Sequence, residues 1–362
     1  MNIGFIGAGK VGCSLGRYFA EHAQDFAAAE NTDHRESSDS IMNRDSARNS
    51  DSIMNHDSAR NSDSIVNRDS ARNSDSIMNP DSAENSAEAL TNSSLNVKGY
   101  YSRSSRSAKD AARFTHSEEY DNIRDLIDEC DVIFLTVPDG SIRETWKQVK
   151  ECCIKEKTIC HCSGAMSSAD AFEGIEETGA YGYSIHPLFA VSDKYNAYKE
   201  LTGVFFTLEG GRNGRHSRHF ISLRQALENM GNPTSVIDGK DKTTYHCAAA
   251  IASNLVCGLI DQSIELMTRC GFTQESAVKA LAPILTGNMA HIAQAGPTES
   301  LTGPIERNDT GTVRKHIECL EDENERNLYR LLSRRLVKMA QQRHPDRDYA
   351  EMSQLLGKGE KQ

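Results

Sequence analysis

The chain opens on a continuous apolar run, Ile3 to Ile6, that ends at Gly7. Beyond it, apolar positions recur at helical spacing: Val11, Leu15, Tyr18 and Phe19. A short apolar run closed by glycine predicts a buried strand, and the spacing after it predicts an amphipathic helix that fades near His22. The alternation returns downstream. Val97–Tyr101 predicts a second strand; Ile123, Leu126 and Ile127 a helix; Asp131–Val137 a strand closed by Pro138-Asp139-Gly140. Thr158–Ala165, Tyr181–Ile185 and Val204–Leu208 predict three more strands. Runs this continuously apolar suit a parallel sheet covered on both faces. From about Asp238 the strand signal stops. Lys242–Cys270, with Ala248, Ala252, Leu255, Leu259 and Met267, predicts one long buried helix, and further helices are expected around 274–285 and 312–342. The pattern describes an α/β domain with a mainly parallel sheet, followed by an all-α domain.

Residues 38–85 break this order. They hold four copies of a twelve-residue unit close to Ser-Asp-Ser-Ile-Met-Asn-Arg-Asp-Ser-Ala-Arg-Asn. Two large apolar residues per unit cannot line a solenoid core, and Ser, Asn and Asp favour local turns. The segment is expected to be a disordered insertion inside one loop. The expected organisation is 1–30 with 95–237 as one α/β domain, 31–94 as the insertion, and 238–362 as the helical domain.

The glycines of the first turn point to chemistry. In Gly7-Ala8-Gly9-Lys10-Val11-Gly12, the first glycine permits a sharp exit from the strand and the second a close backbone approach to a pyrophosphate. The third lets the helix sit near the sheet, and the helix N-terminus offers N–H groups to phosphate. This is a dinucleotide-binding, Rossmann-type beginning. The second strand runs into Ser102, Arg103 and Ser104 with no carboxylate, which favours NADP over NAD. The loop Val137-Pro138-Asp139 and the strand exit at Ser163 are expected beside the same cofactor. Asp139 is either a contact there or a helix cap, and Ser141 with Glu144 has capping-box spacing.

Composition narrows the partners. A net charge of −11 and a pI near 5.6 argue against nucleic acid. The ten scattered cysteines, and a first strand too near Met1 for a secretory leader, lead to the expectation of a cytoplasmic protein with reduced thiols. The apolar run Ala248–Ile260 falls short of a membrane span, so no membrane association is expected. In Cys160-His161-Cys162, strand alternation sends the histidine to the opposite face from the cysteines, so no metal site is expected.

Candidate catalytic residues cluster at the start of the long helix: Lys242, His246 and, eight residues on, Asn254. On one continuous helix the last two lie about 80° apart and face one cleft. His186, after the fifth strand, and the loop containing Thr302, Arg307 and Asp309 are candidate substrate contacts.

These motifs, with His161-Cys162-Ser163-Gly164-Ala165, Ser184-Ile185-His186-Pro187 and Leu301-Thr302-Gly303-Pro304-Ile305, resemble a family. It comprises bacterial Rossmann-like oxidoreductases with an uncharacterised helical C-terminal domain, relatives of the 6-phosphogluconate and β-hydroxyacid dehydrogenases. Some members resemble ketopantoate reductases of pantothenate synthesis. The resemblance implies NADPH-dependent reduction of a small 2-oxo acid, ketopantoate first, and a homodimer. A cyclic imine such as pyrroline-5-carboxylate, or a non-catalytic NADP sensor, are the other readings. His246 is the first choice for proton donor and Lys242 the second; Asn254 is expected on a substrate oxygen and Arg307 on its carboxylate. Where the family has Arg-Gly-Asp, this chain has Arg307-Asn308-Asp309, a departure that bears on that loop.

Overall fold

The structure, a computed structural model, describes residues 1–23, 95–210 and 214–357. The expected insertion and its repeats lie outside them. The chain divides into two compact units, Met1–Ala249 and Ala250–Gln362.

The first unit is built on strands β1 (Asn2–Ile6), β2 (Asn96–Tyr101), β3 (Glu118–Glu119), β4 (Val132–Leu135), β5 (Thr158–His161), β6 (Tyr181–Pro187), β7 (Phe206–Gly210) and β8 (Thr234–Val236). They form one sheet in the order β3-β2-β1-β4-β5-β6-β7-β8. All neighbours are parallel except β6 and β7. The helices are α1 (residues 10–23), α2 (Ser105–Thr115), α3 (Ile123–Glu129), α4 (Asp139–Lys150), the short α5 (Ser168–Ala171) and α6 (Arg218–Asn229).

Alternation along each strand divides the core in two. Ile3, Phe5, Val132, Phe134 and Cys160 pack with Leu15, Tyr18 and Phe19 of α1 on one face. Ile6, Ile133, Leu135 and Ile159 pack with Leu126, Ile127, Trp146 and Val149 on the other. All four residues of β4 are buried because both faces are covered. β3 and β8 are too short and polar to show in the apolar pattern. The expected capping box at Ser141 does not form: α4 already begins at Asp139, after Pro138, so Ser141 lies inside the helix.

Helix α7 (Lys242–Ala252) crosses the division between the units, and its first two turns belong to the first. The second unit continues with α8 (Asn254–Arg269), α9 (Gln274–Ser300, kinked at Gly296), α10 (Thr310–Cys319), α11 (Glu323–Arg343) and α12 (Ala350–Leu355). Its core gathers Leu301, Ile305, Val313, Ile317, Val337, Ala340, Tyr349, Met352 and Leu356. The single long buried helix expected over Lys242–Cys270 is instead two, interrupted at Ser253 (φ −122°, ψ −78°), and α8 buries none of its residues. Its apolar residues share one broad face, with Asp261, Glu265 and Arg269 on the opposite side, and that face is only partly covered among the described residues. The helix expected around 274–285 runs on to Ser300, and the one expected over 312–342 is divided at Leu320. The stretch Gly239–Arg269 is long and apolar enough, by length and composition alone, to cross a membrane, which the shorter run Ala248–Ile260 did not suggest.

Candidate active site

The turn after β1 is shaped by backbone proximity. Gly7 has φ +112°, and a Cβ there would lie 2.8 Å from the backbone of Thr136. Thr136 locks the turn by donating its hydroxyl to the Gly7 carbonyl at 2.7 Å, while Gly7 N–H donates to Tyr101 at 2.8 Å. A Cβ on Gly12 would come within 2.5 Å of that same Gly7 carbonyl, so the start of α1 is held against the sheet. The result is a bare backbone loop at a helix N-terminus, the form that accepts a pyrophosphate.

Above it lies a cavity of about 500 Å³, within the range of small-ligand sites. Of the expected cofactor residues, Gly7, Ala8, Gly9, Ser102, Arg103, Val137 and Pro138 line it. Lys10, Val11, Gly12, Ser104, Asp139 and Ser163 are not in its wall. Ser104 instead caps α2, accepting from Ser107 N–H. Thr136, Ser107 and Glu144 also line the cavity, and the sequence pattern did not single them out for it.

Asp139, between the cavity residues Pro138 and Gly140, connects to a second group of side chains. Its carboxylate accepts the Ser163 hydroxyl at 2.6 Å rather than capping a helix. The Ser163 oxygen also accepts the N–H groups of Ala165 and Met166, at 3.3 and 3.1 Å, which fixes the exit of β5. The Ser163 carbonyl accepts from Lys242 Nζ at 2.8 Å, and Lys242 also donates to Ser184 Oγ at 2.7 Å. Lys242 is 1% exposed. Burial lowers its ammonium to about 8, opposed by the negative charges of Glu209 and Asp139.

Gly164 is where the imidazoles converge. A Cβ at this position would lie 2.9 Å from both His186 Nε2 and His246 Nδ1, so only the absence of a side chain lets both rings approach. His186 Nδ1 meets the Tyr245 hydroxyl at 2.7 Å, the rings nearly perpendicular at 88°. Burial, reinforced by the charges of Lys242 and His246, lowers His186 to about 4, so it is neutral at pH 7. His246 is exposed. His161 points to the opposite face of β5 from Cys160 and Cys162 and meets Phe172 edge-on. Burial lowers it to about 3, and its Nδ1 accepts from Ser163 N–H at 3.2 Å. Among the described residues no group of three or more His, Cys, Asp or Glu could hold a metal.

The first unit thus brings together Lys242, His246, His186, Ser163 and Asp139. Asn254 begins α8 in the second unit, and the break at Ser253 removes the shared helical face on which its pairing with His246 was expected. Thr302 and Arg307 are exposed in the loop before α10. Asp309 is the cap of that helix, accepting from Thr312 N–H at 2.9 Å and from its hydroxyl at 2.6 Å, and these bonds lower its carboxyl. Asn308 adopts φ +61°, the left-handed region that asparagine tolerates better than most residues, so the loop keeps a shape suited to glycine. Glu209, whose charge acts on Lys242, belongs to the site although no motif contained it, whereas Ser184 and Tyr245 stood in the sequence beside His186 and His246 with no role expected of them. Only the side-by-side placement of β5, β6 and α7 reveals their partners.

Comparison with known proteins places this architecture. Residues 204–336 match the family model described as a domain of unknown function, DUF2520. No curated protein matches the chain in sequence. Among solved structures, protein TM1727 from Thermotoga maritima is similar over 94% of this chain and 99% of its own, at 20% identity and a TM-score of 0.56. A putative NADP oxidoreductase from Bacteroides fragilis covers 93% and 98%, at 15% identity and 0.57. A pyrroline-5-carboxylate reductase from Coxiella burnetii covers 94% and 97%, at 12% identity and 0.50. The chain has their fold. It is a Rossmann-like unit with a mostly parallel sheet, followed by a helical unit.

Proposed function

We propose that the chain is an NADPH-dependent reductase of a small carboxylate-bearing substrate containing a C=N or C=O bond. A cyclic imine such as pyrroline-5-carboxylate stands ahead of the 2-oxo acid ketopantoate, because the similar structures include a pyrroline-5-carboxylate reductase and a putative NADP oxidoreductase. One observation carries the reading. Asp139 sits between two residues that line the cavity beside the Gly7 turn, and its carboxylate bonds Ser163, whose carbonyl holds Lys242 beside the histidine pair.

The residues present fit the cofactor. The side-chain-free turn at Gly7 suits a pyrophosphate, and Ser102 with Arg103 at the end of β2 suits a 2′-phosphate. When bound, the nicotinamide supplies hydride. The chain must supply the proton. His246, exposed and able to reload from water, delivers it to the developing alkoxide or to the imine nitrogen. Lys242, with two of its N–H bonds already spent on Ser163 and Ser184, holds the β5 and β6 ends in place. Arg307, exposed on its loop in the second unit, carries a planar guanidinium fork of the kind that pairs with carboxylates.

The test is NADPH oxidation by the purified protein with pyrroline-5-carboxylate, ketopantoate and a panel of 2-oxo acids, repeated with NADH. Turnover of an imine with NADPH supports the reading as ordered, and turnover of ketopantoate alone reverses the order of substrates. Tight NADPH binding with no turnover on any member would replace the enzyme with a cofactor-binding sensor.

A further inference from the structure

The register of α7 against β6 decides what His186 meets. Lys242 donates to Ser184 Oγ, and three residues further along α7 the Tyr245 hydroxyl meets His186, two residues further along β6. Nearly one helical turn is matched to one strand repeat, roughly 4.5 Å against 6.8 Å. Lys242 is buried and bonded twice, so the start of α7 is fixed and Tyr245 is carried with it. Across β6 and β7, His186 lies opposite Thr207, whose side chain acts on the same tyrosine hydroxyl.

The two ring nitrogens of His186 have unlike surroundings. Nδ1 is 2.7 Å from the Tyr245 oxygen, a full hydrogen bond. Nε2 faces Gly164, 2.9 Å from where a Cβ would stand. Burial, with the charges of Lys242 and His246, lowers the ring to about 4, so at pH 7 it is neutral and carries one proton. Acid strength decides which nitrogen holds it. A phenol is a far stronger acid than a neutral imidazole N–H, and an imidazole nitrogen is a far stronger base than a phenol oxygen. The bond therefore runs from the Tyr245 O–H to Nδ1, and the ring's own proton is left on Nε2.

We propose that Tyr245 is a positioning residue for the reduction: its hydroxyl holds His186 with the proton on Nε2, so that this N–H, beside the bare Gly164, donates to an oxygen of the substrate. The substrate contact rests on the reductase reading; the tautomer does not. A fixed donor selects an acceptor. A carbonyl oxygen qualifies, and does so more strongly as negative charge develops on it. A carboxylate oxygen qualifies too. A protonated imine nitrogen is itself a donor, so a cyclic imino acid would present its carboxylate here. Kinetics separates the two oxygens: loss of a bond to the carbonyl lowers kcat, and loss of a bond to the carboxylate raises KM.

The tautomer is tested first, without substrate. In the full chain carrying isotope-labelled histidine, nitrogen–proton correlation spectra at pH 7 distinguish the protonated nitrogen of each ring from the bare one, and His186→Asn identifies the signals by their loss. The natural protein is expected to hold the proton on Nε2 alone, and Tyr245→Phe to give a mixture of tautomers. A proton on Nδ1 in the natural protein, or an unchanged spectrum in Tyr245→Phe, overturns the proposal. If Tyr245→Phe loses its helical circular dichroism, 3-fluorotyrosine in place of tyrosine makes the phenol a stronger acid and should shift the His186 Nδ1 resonance; an unmoved resonance overturns the proposal. With the substrate panel, Tyr245→Phe should lower kcat about tenfold or more on an oxo acid, or raise KM about tenfold on a cyclic imino acid. Because Tyr245 does not line the cavity, the KM for NADPH should stay within about twofold. Unchanged kcat and KM overturn the donor role. No turnover on any member would remove the reductase reading and the substrate oxygen with it, while the spectra still decide what Tyr245 does to His186.

Discussion

Lys242 Nζ lies 2.7 Å from Ser184 Oγ and, with a second N–H, 2.8 Å from the Ser163 carbonyl. One buried ammonium therefore ties the ends of β5 and β6 to the first turn of α7. Lys242→Met keeps most of the stem and removes both donors, leaving the Ser163 carbonyl with the Ser184 hydroxyl alone. The expected cost is about 1–3 kcal/mol of unfolding free energy, read from the urea midpoint. An unchanged midpoint would show that the amine is not needed to hold the strand ends.

Acid should weaken the first unit before its carboxylates titrate. His161 and His186 are lowered to about 3 and about 4, chiefly by burial, whereas the unfolded chain titrates them near the ordinary value of about 6.5. Between those limits the unfolded state holds protons that the folded state lacks. Stability from these groups is complete above pH 6.5 and falls as pH drops, by up to about 1.4 kcal/mol per pH unit for each histidine. Urea midpoints at pH 7, 6 and 5 should decline in that order, and His186→Asn should flatten the decline.

Replacing His246 separates chemistry from cofactor binding. His246→Ala is expected to lower kcat by about 10²–10⁴. Since His246 is not among the residues lining the cavity, NADPH affinity by fluorescence titration should stay within about twofold. Full turnover in the variant removes the imidazole from proton transfer.

Arg103 lines the cavity at the end of β2, where no carboxylate stands ready for a ribose hydroxyl. Arg103→Ala should raise the KM for NADPH about tenfold or more while leaving that for NADH little changed. Equal effects on both would place the guanidinium away from the 2′-phosphate.

Asn308 provides a conformational test. With φ at +61°, Asn308→Ala should cost about 1–2 kcal/mol more than Asn308→Gly. Both variants lose the 2.8 Å bond from the asparagine side chain to the Asp348 carbonyl, so the difference between them reads the backbone alone. Thermal melts of the two variants side by side distinguish backbone strain from indifference.

Much of the first unit was legible because its signals are local. β1, β4 and β5 are apolar runs with both faces covered, and the turn at Gly7 needs a conformation that glycine supplies. The pattern failed where the deciding groups are far apart in the chain. β3 and β8 have too few apolar residues to register, and the supposed capping box at Ser141 was overridden when α4 started at Asp139. The helical half was the least legible, because apolar residues at helical spacing look alike whether a core, a partner or nothing covers them.

From the order of its residues alone, the chain determined an α/β unit with a phosphate-binding turn followed by helices. Strand periodicity and glycine geometry act over a few residues, and a linear pattern can express them. Tertiary structure alone decided that Lys242 is buried between Ser163 and Ser184, 79 and 58 residues away, and that His186 meets Tyr245 across 59. It also decided that Gly164 stands against two imidazoles. Hydrogen bonding and desolvation depend on which atoms meet, and that is settled only when β5, β6 and α7 are packed side by side.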